Sequence, residues 1–376
     1  MDAHVALSAL IQRARSVPAG RGGFAVWSQA DGTWILRPAG EWASGYAVGL
    51  RWLAAAHAGS VAGSGVLADR ARAGLRELSV ASGPHSAFRG FRGYLGAVPG
   101  DVLLSDAEAA IAVVAAGRAF AADRHPVAGI VPLAETAGEQ LRPGAVETSI
   151  DAVGPAVGVL ARAAELSGDP GLASLAVFQA MWHLETLVRP DGSVAQYALL
   201  DPDDGRLIDV RSGPQGLRPD STWARAQSWG LFAAAAAARW LPDLRAHMLD
   251  VGGRVADWWG DHLPPDGVAR WDFAAPESDA LDTSATAITA AALLRLAALE
   301  PGTTRADRHR AQAEAAVDSL TSRVTSGDDG RPAGMLLDGC YHHGAGLATA
   351  NELVWGDFHL LEALLMLTGR LDPLAY

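Results

Sequence analysis

The chain has 376 residues, 42 acidic and 30 basic, for a formal charge of −12; every basic residue is an arginine, and Asn351 is the single asparagine. Without lysine there is no P-loop, whose lysine reaches the phosphates, and no Schiff-base or pyridoxal chemistry, which needs a lysine amine. So acidic a chain also repels a phosphate backbone, which argues against nucleic acid as a partner.

In chain order, helical periodicity recurs almost without a break. It begins at 2–17, an amphipathic stretch lacking the basic and apolar regions of a signal peptide. Further helices are expected near 42–58, 65–80, 86–97, 105–122, 151–167, 170–188, 220–240, 243–262, 282–298, 304–324 and 352–369, about twelve in all. SGDPG at 167–171, LPD at 241–243 and EPG at 300–302 join their helices tightly. The other connections are longer and hold short β-prone pieces, TWILR at 33–37, GIVPL at 129–133, SVAQYALL at 193–200 and VARWDF at 268–273. No apolar run reaches the ~18 residues of a membrane span. The lone Cys340 permits no internal disulfide, which fits a reducing cytoplasm, and as a nucleophile it lacks a matching histidine arrangement.

No Gly/Ser-rich linker divides the chain, so 1–376 reads as one domain. Alternating short and long connections let six antiparallel hairpins close into a ring. The fold class is therefore all-α, an (α/α)6 barrel with short β pieces in the long loops; an open α-solenoid is the competing arrangement. The alanines at 233–238 suit close helix packing. Function collects on the long-loop face. There the helix starts bring Glu41 and Trp42, His85, Asp151, Asp220 through Trp229, Asp282 with Thr283 and Ser284, and Glu352 with Trp355.

Tryptophan is abundant, 12 of 376 residues. Trp27, Trp34, Trp42, Trp223, Trp229, Trp271 and Trp355 fall in or beside the long loops, where flat rings stack on sugars and keep water from a carboxyl group. Trp182, Trp240, Trp258 and Trp259 lie within helices and read as core. Asp151, Asp220 and Asp282 each begin a helix, where capping the first turn is the ordinary duty of an aspartate. Arg225 and Trp229 lie four apart on one helix face, and an inward arginine calls for an anion from protein or ligand. His342 and His343 have no third ligand at metal spacing.

The stretch 215–230, QGLRPDSTWARAQSWG, resembles the QGYxDxSxWARGQAWG signature of unsaturated glucuronyl hydrolases. VRPDGS at 188–193, DGVARWDF at 266–273, LDTSATAI at 281–288, ELVWGDFHLLEALL at 352–365 and EWASGYAVGLRWL at 41–53 fall in the family's order, so the resemblance spans nearly the whole chain. The related unsaturated rhamnogalacturonyl hydrolases share the plan. The resemblance implies an (α/α)6 barrel and a glycosidase needing no metal or cofactor. Its substrates would be lyase-generated oligosaccharides with a 4,5-unsaturated uronic acid at the non-reducing end.

On matching positions the resemblance makes Asp151 the general acid/base, with Trp42, His85, Gln196, Gln215, Arg225, Trp229, Trp271, His343 and Trp355 at the substrate. Asp220 and Asp282 are candidates for a second carboxylate. The chain also departs from the pattern. The family's His-Asp-Leu-Gly-Phe-like segment reads PHSAFRGF at 84–91, putting Ser86 or Phe88 at its second aspartate; Ala152 and Pro155 replace amides, and Gln196 and Pro214 replace histidines. Two other readings remain, an inverting glycosidase on an intact uronide or neutral glycan, and a non-catalytic glycan-binding barrel. With no lysine, recognition of an anionic sugar falls to Arg and His, and Arg225 is expected to be its main fixed charge.

Overall fold

The computed structural model describes residues 2–78, 80, 82, 83, 85–134, 142 and 144–376. Pro84, at the head of the PHSAFRGF segment, and Pro143, ahead of Asp151, lie outside the described residues. Among the described residues twelve α-helices form: α1 (Ala3–Ser16), α2 (Ser44–Ala56), α3 (Val61–Leu78), α4 (Arg89–Leu104), α5 (Ala107–Ala122), α6 (Val153–Ser167), α7 (Pro170–Leu187), α8 (Ala224–Trp240), α9 (Arg245–His262), α10 (Thr283–Leu299), α11 (Thr304–Thr321) and α12 (Val354–Leu367).

The even-numbered helices form the inner ring. Each packs on the next, α2 on α4, α4 on α6, and so on to α12, which returns to α2 and closes the barrel. Closure excludes the open solenoid. The inner helices are buried almost all round; in α8 every residue but Arg239 is buried. Small side chains make this approach possible. A Cβ at Gly158 of α6 would sit 2.2 Å from the Tyr94 ring of α4, and one at Gly49 of α2 would sit 2.7 Å from the Leu95 carbonyl. That carbonyl is the one Pro99 cannot bond, and α4 nevertheless runs through Pro99 to Leu104, well past the residue 97 expected from sequence.

Short turns occupy one end of the barrel, at 57–60, 105–106, 168–169, 241–244 and 300–303. Side chains that accept first-turn amides define the next helices: Asp106 from Ala109, Asp169 from Gly171 ahead of Pro170, and Thr303 from Ala306. The described residues of the long connections, 17–43, 80 with 82, 83 and 85–88, 123–134 with 142 and 144–152, 188–223, 263–282 and 322–353, gather at the other end. They carry two antiparallel three-stranded sheets, β1 (Ala19–Gly20), β2 (Gly23–Ser28) and β3 (Trp34–Arg37), then β4 (Val146–Ser149), β5 (Tyr197–Leu200) and β6 (Leu207–Arg211).

The β-prone pieces fare unequally. TWILR supplies β3 and SVAQYALL supplies β5, whereas VARWDF makes only isolated bridges, Asp272 with Trp223 and Arg270 with Leu281. GIVPL at 129–133 forms no strand: Gly129 has φ +74°, Pro132 has no amide to donate, and Leu133 N–H and the Pro132 carbonyl bond to Glu147 and Ala87 instead. Among the described residues no helix is long and apolar enough to cross a membrane.

Candidate active site

A cavity of about 550 Å³ opens at the end where the long connections meet. Its walls come from the starts of α2, α4, α6 and α8 and from the connection before α12. Trp42, Phe88, Phe91, Trp229 and Tyr341 are its aromatic face. Trp42 lies 5.1 Å from Phe91, 6.5 Å from Phe88 and 6.2 Å from Tyr341, centroid to centroid, and its Nε1 donates to Tyr341 Oη at 3.1 Å. Phe91 in turn meets Trp229 edge-on at 5.4 Å. Rings packed this way are fixed in place before any ligand arrives.

Asp151 lines this cavity while 7% exposed. It stands in the single 3-10 turn, Ile150–Ala152, that leads into α6. Capping belongs to its neighbour: Ser149 Oγ accepts the Asp151 N–H at 3.4 Å, and α6 has no side-chain cap of its own. The carboxyl group is thus left out of helix termination. Its Oδ2 accepts from Gln196 Nε2 at 3.3 Å, and its Oδ1 is buried without a hydrogen-bond partner. Burial pushes the carboxyl up to about 6, against the opposing pull of Ser149, Arg225 and Gln196.

Strand pairing places Gln196 there. β4 and β5 register Ser149 opposite Tyr197, and the Ile150 N–H continues the ladder to the Gln196 carbonyl at 2.9 Å. Gln196 is fully buried behind Asp151 and does not line the cavity. Its Nε2 also donates to Gln215 Oε1 at 3.0 Å, while its Oε1 accepts from the Gly213 N–H at 3.2 Å. Gln215, on the cavity wall, passes the chain on by donating to the Tyr341 carbonyl at 3.0 Å.

Arg225 reaches the wall but is largely spoken for. It is 1% exposed, donates to Asp282 Oδ2 at 2.6 Å and to the carbonyls of Cys340 and Tyr341, and lies 4.4 Å from the Trp223 ring. The anion that an inward arginine requires is Asp282, from the start of α10. Arg225 is therefore a tie among α8, α10 and the connection before α12, its anion coming from the protein, one of the two sources its inward placement left open.

Asp282 does cap its helix, accepting the Ser284 N–H at 3.1 Å and the Cys340 N–H at 3.3 Å besides Arg225. Asp220 projects into solvent beside Arg218, 83% exposed in its side chain. Neither lines the cavity as a second carboxylate. His85 also stays outside, 83% exposed and bonded to Asp123. Trp271 and His343 stack on each other at 4.3 Å, and both bond to Asp279, so they clamp two connections together beside the cavity. Trp355 stands one layer behind the wall, 4.9 Å from Trp42, with its Nε1 on Ser284 Oγ at 2.9 Å.

Of the residues expected at the substrate, the cavity thus collects Asp151, Trp42, Gln215, Arg225 and Trp229, with Gln196 and Trp355 one layer behind and His85, Trp271 and His343 outside. Sequence reading had no signal for Tyr341, Tyr197 or Phe91, which the wall also contains. Glu41 and His342 line it as well, and burial together with Arg225 depresses the imidazole of His342, favouring its neutral form. Among the described residues no group of three or more His, Cys, Asp or Glu side chains is placed to hold a metal ion.

No protein-family model matches the chain. Curated relatives do. The chain is 36% identical over 209 residues to the unsaturated glucuronyl hydrolase of Bacillus sp. (strain GL1), covering 54% of each chain. It is 29% identical over 219 residues to the unsaturated chondroitin disaccharide hydrolase of Streptococcus pyogenes serotype M1, covering 56% of this chain and 53% of that one. It spans about half the length of the curated relatives it matches. Among solved structures, the unsaturated glucuronyl hydrolase from Bacillus sp. GL1, described as responsible for the degradation of glycosaminoglycan, superposes with a TM-score of 0.87 at 29% identity, covering 97% of both chains.

Proposed function

The chain belongs to the unsaturated glucuronyl hydrolase family as a divergent member, and from that premise we propose that it is a glycoside hydrolase, acting as a single catalytic unit on lyase-generated oligosaccharides. It releases the 4,5-unsaturated uronic acid from their non-reducing end, with Asp151 as general acid and then base. The observation that carries this reading is the Asp151 carboxyl itself, buried on an aromatic cavity wall, held at one oxygen and unmatched at the other.

The chemistry follows from the enol ether. The ring oxygen feeds the C4=C5 bond, so C4 is the basic carbon. The Asp151 carboxyl transfers its proton to C4, and positive charge develops at C5 and the ring oxygen. Water adds at C5 and gives a proton to the Asp151 carboxylate, restoring the acid. The hemiketal opens by breaking the bond from C5 to the ring oxygen, and the hemiacetal left at C1 collapses to expel the neighbouring sugar. One water is consumed and no group other than Asp151 must change protonation. A carboxyl poised near 6 serves both steps. Trp42 and Trp229 offer flat faces to the sugar ring, and Gln215 an amide edge. A cytoplasmic setting suits a chain whose one cysteine, Cys340, is buried and raised to about 12, far from thiolate character.

The test is to mix the purified protein with a panel of unsaturated uronyl disaccharides and follow the ultraviolet absorbance of the conjugated enol. Decay with at least one substrate, absent in Asp151→Asn, is expected; no decay across the panel at any pH contradicts it. Binding of the same sugars without decay would return the glycan-binding barrel. Glu41 in the cavity lining keeps a two-carboxylate reading alive. An inverting glycosidase needs its carboxyls about 6.5–9.5 Å apart, and turnover of a saturated aryl glycoside lost in Glu41→Gln would favour it.

A further inference from the structure

Gln196 stands where the family pattern has a histidine, and it does not reach the cavity. We propose that Gln196 is a positioning residue: its amide holds Asp151 Oδ2 at 3.3 Å and so fixes the carboxyl that gives and recovers the proton at the cavity wall. The inference rests on the reading of Asp151 as the acid/base group and adds what fixes its carboxyl.

The orientation of the amide is dictated by its surroundings. The Gly213 N–H is a donor and must meet the Gln196 oxygen, at 3.2 Å. That leaves the Gln196 NH2 group toward Asp151 at 3.3 Å and Gln215 at 3.0 Å, and both of its hydrogens are used. Turned the other way, Gln196 would set two donors against each other at Gly213 and two acceptors against each other at Asp151. The Gln196 side chain therefore donates to Asp151 and cannot take a proton from it. A histidine at this place would add a second titrating group behind the acid; an amide does not. The other charged or titratable groups around Asp151 are Arg225 from α8, Tyr46 from α2, whose ionisation Asp151 opposes, and Glu41 and His342 on the cavity wall. None of these bonds to the Asp151 carboxyl.

Because the amide favours the carboxylate, its removal should move the Asp151 titration upward. The experiment follows the Asp151 side-chain carboxyl carbon by NMR in the free protein, assigned by its loss in Asp151→Asn. This titration needs no turnover, so its outcome is independent of whether a substrate is found. In Gln196→Met the midpoint is expected to rise by about one pH unit. In Gln196→Leu, which likewise cannot donate to Asp151 and adds no titrating group, it should rise to the same extent. Thermal unfolding of each variant reports whether the fold survives, and Gln196→Leu carries the test if Gln196→Met does not fold. With a turned-over substrate, kcat should fall in both variants at unchanged KM, and the alkaline limb should follow the NMR midpoint. An unmoved midpoint in the folded variants overturns the proposal, as does a rise in KM with an unmoved limb, which would make Gln196 a substrate contact.

Discussion

Asp151 and Asp282 both stand at the start of an inner helix, both are buried, and both belong to the end of the barrel where the long connections meet. Their surroundings differ at every bond. Asp282 meets a guanidinium at 2.6 Å, two backbone N–H groups and the Ser284 hydroxyl, so its charge is fully received by protein. Asp151 meets only neutral groups, the Gln196 amide and the nearby Ser149 hydroxyl, cedes the capping role to Ser149, and keeps Oδ1 buried without a hydrogen-bond partner. The same residue type at the same kind of position is therefore a tie in one place and a reagent in the other. Local spacing does not separate them; the partners that converge from distant segments do.

Exchanging each carboxylate for an amide should break this symmetry most plainly. Asp151→Asn should lower turnover of an unsaturated uronyl disaccharide by roughly 10²–10⁴-fold, the usual worth of a general acid or base, read as enol absorbance under saturating substrate. Asp282→Asn should act on the fold. It leaves the Arg225 guanidinium buried without its counter-charge, at a cost of about 3–5 kcal/mol, measured by urea unfolding.

Stability should also move in opposite directions. The Asp151 carboxyl lies at about 6 in the folded protein against an ordinary value of 3.8, so the folded chain holds that proton more tightly than the unfolded one. The stabilisation is complete below about 4 and is lost as pH rises through about 6. Asp151→Asn, which never ionises, should accordingly be more stable than the parent at pH 8, by about 2–3 kcal/mol, and nearly level with it at pH 4. A smaller effect is expected on the cavity wall: Tyr341→Phe removes the acceptor of Trp42 Nε1, costing about 1 kcal/mol and raising KM modestly through a looser Trp42.

Much of this was legible before the structure. The twelve helices announced themselves through period and turn chemistry, because each inner helix must bury nearly its whole surface while each outer one buries a stripe. The end of the barrel that carries the cavity followed from the lengths of the connections. Asp151 was legible only through resemblance, since its spacing equally suits a cap. Arg225 shows the limit of helical periodicity. Its four-residue step to Trp229 places both on one face, but nothing local says that its anion is Asp282, far along the chain, or that carbonyls at 340 and 341 take its remaining hydrogens. Tyr341 escaped notice because it lies in an irregular connection that only barrel closure brings against Trp42. His85 was expected inside for its type and position, and is drawn outward by Asp123, a partner on the next connection.

The account's central claim is that Asp151 works as an acid poised by burial, and the pH dependence of kcat/KM on an unsaturated uronyl disaccharide tests it most directly. Protonation of C4 requires the neutral carboxyl, and kcat/KM reports the free protein. The expected profile is level on the acid side and falls as pH rises through about 6, with the residual rate of Asp151→Asn showing no such limb. A rate that stays constant from pH 5 through 8 in the parent, or an alkaline limb that survives in Asp151→Asn, would contradict it.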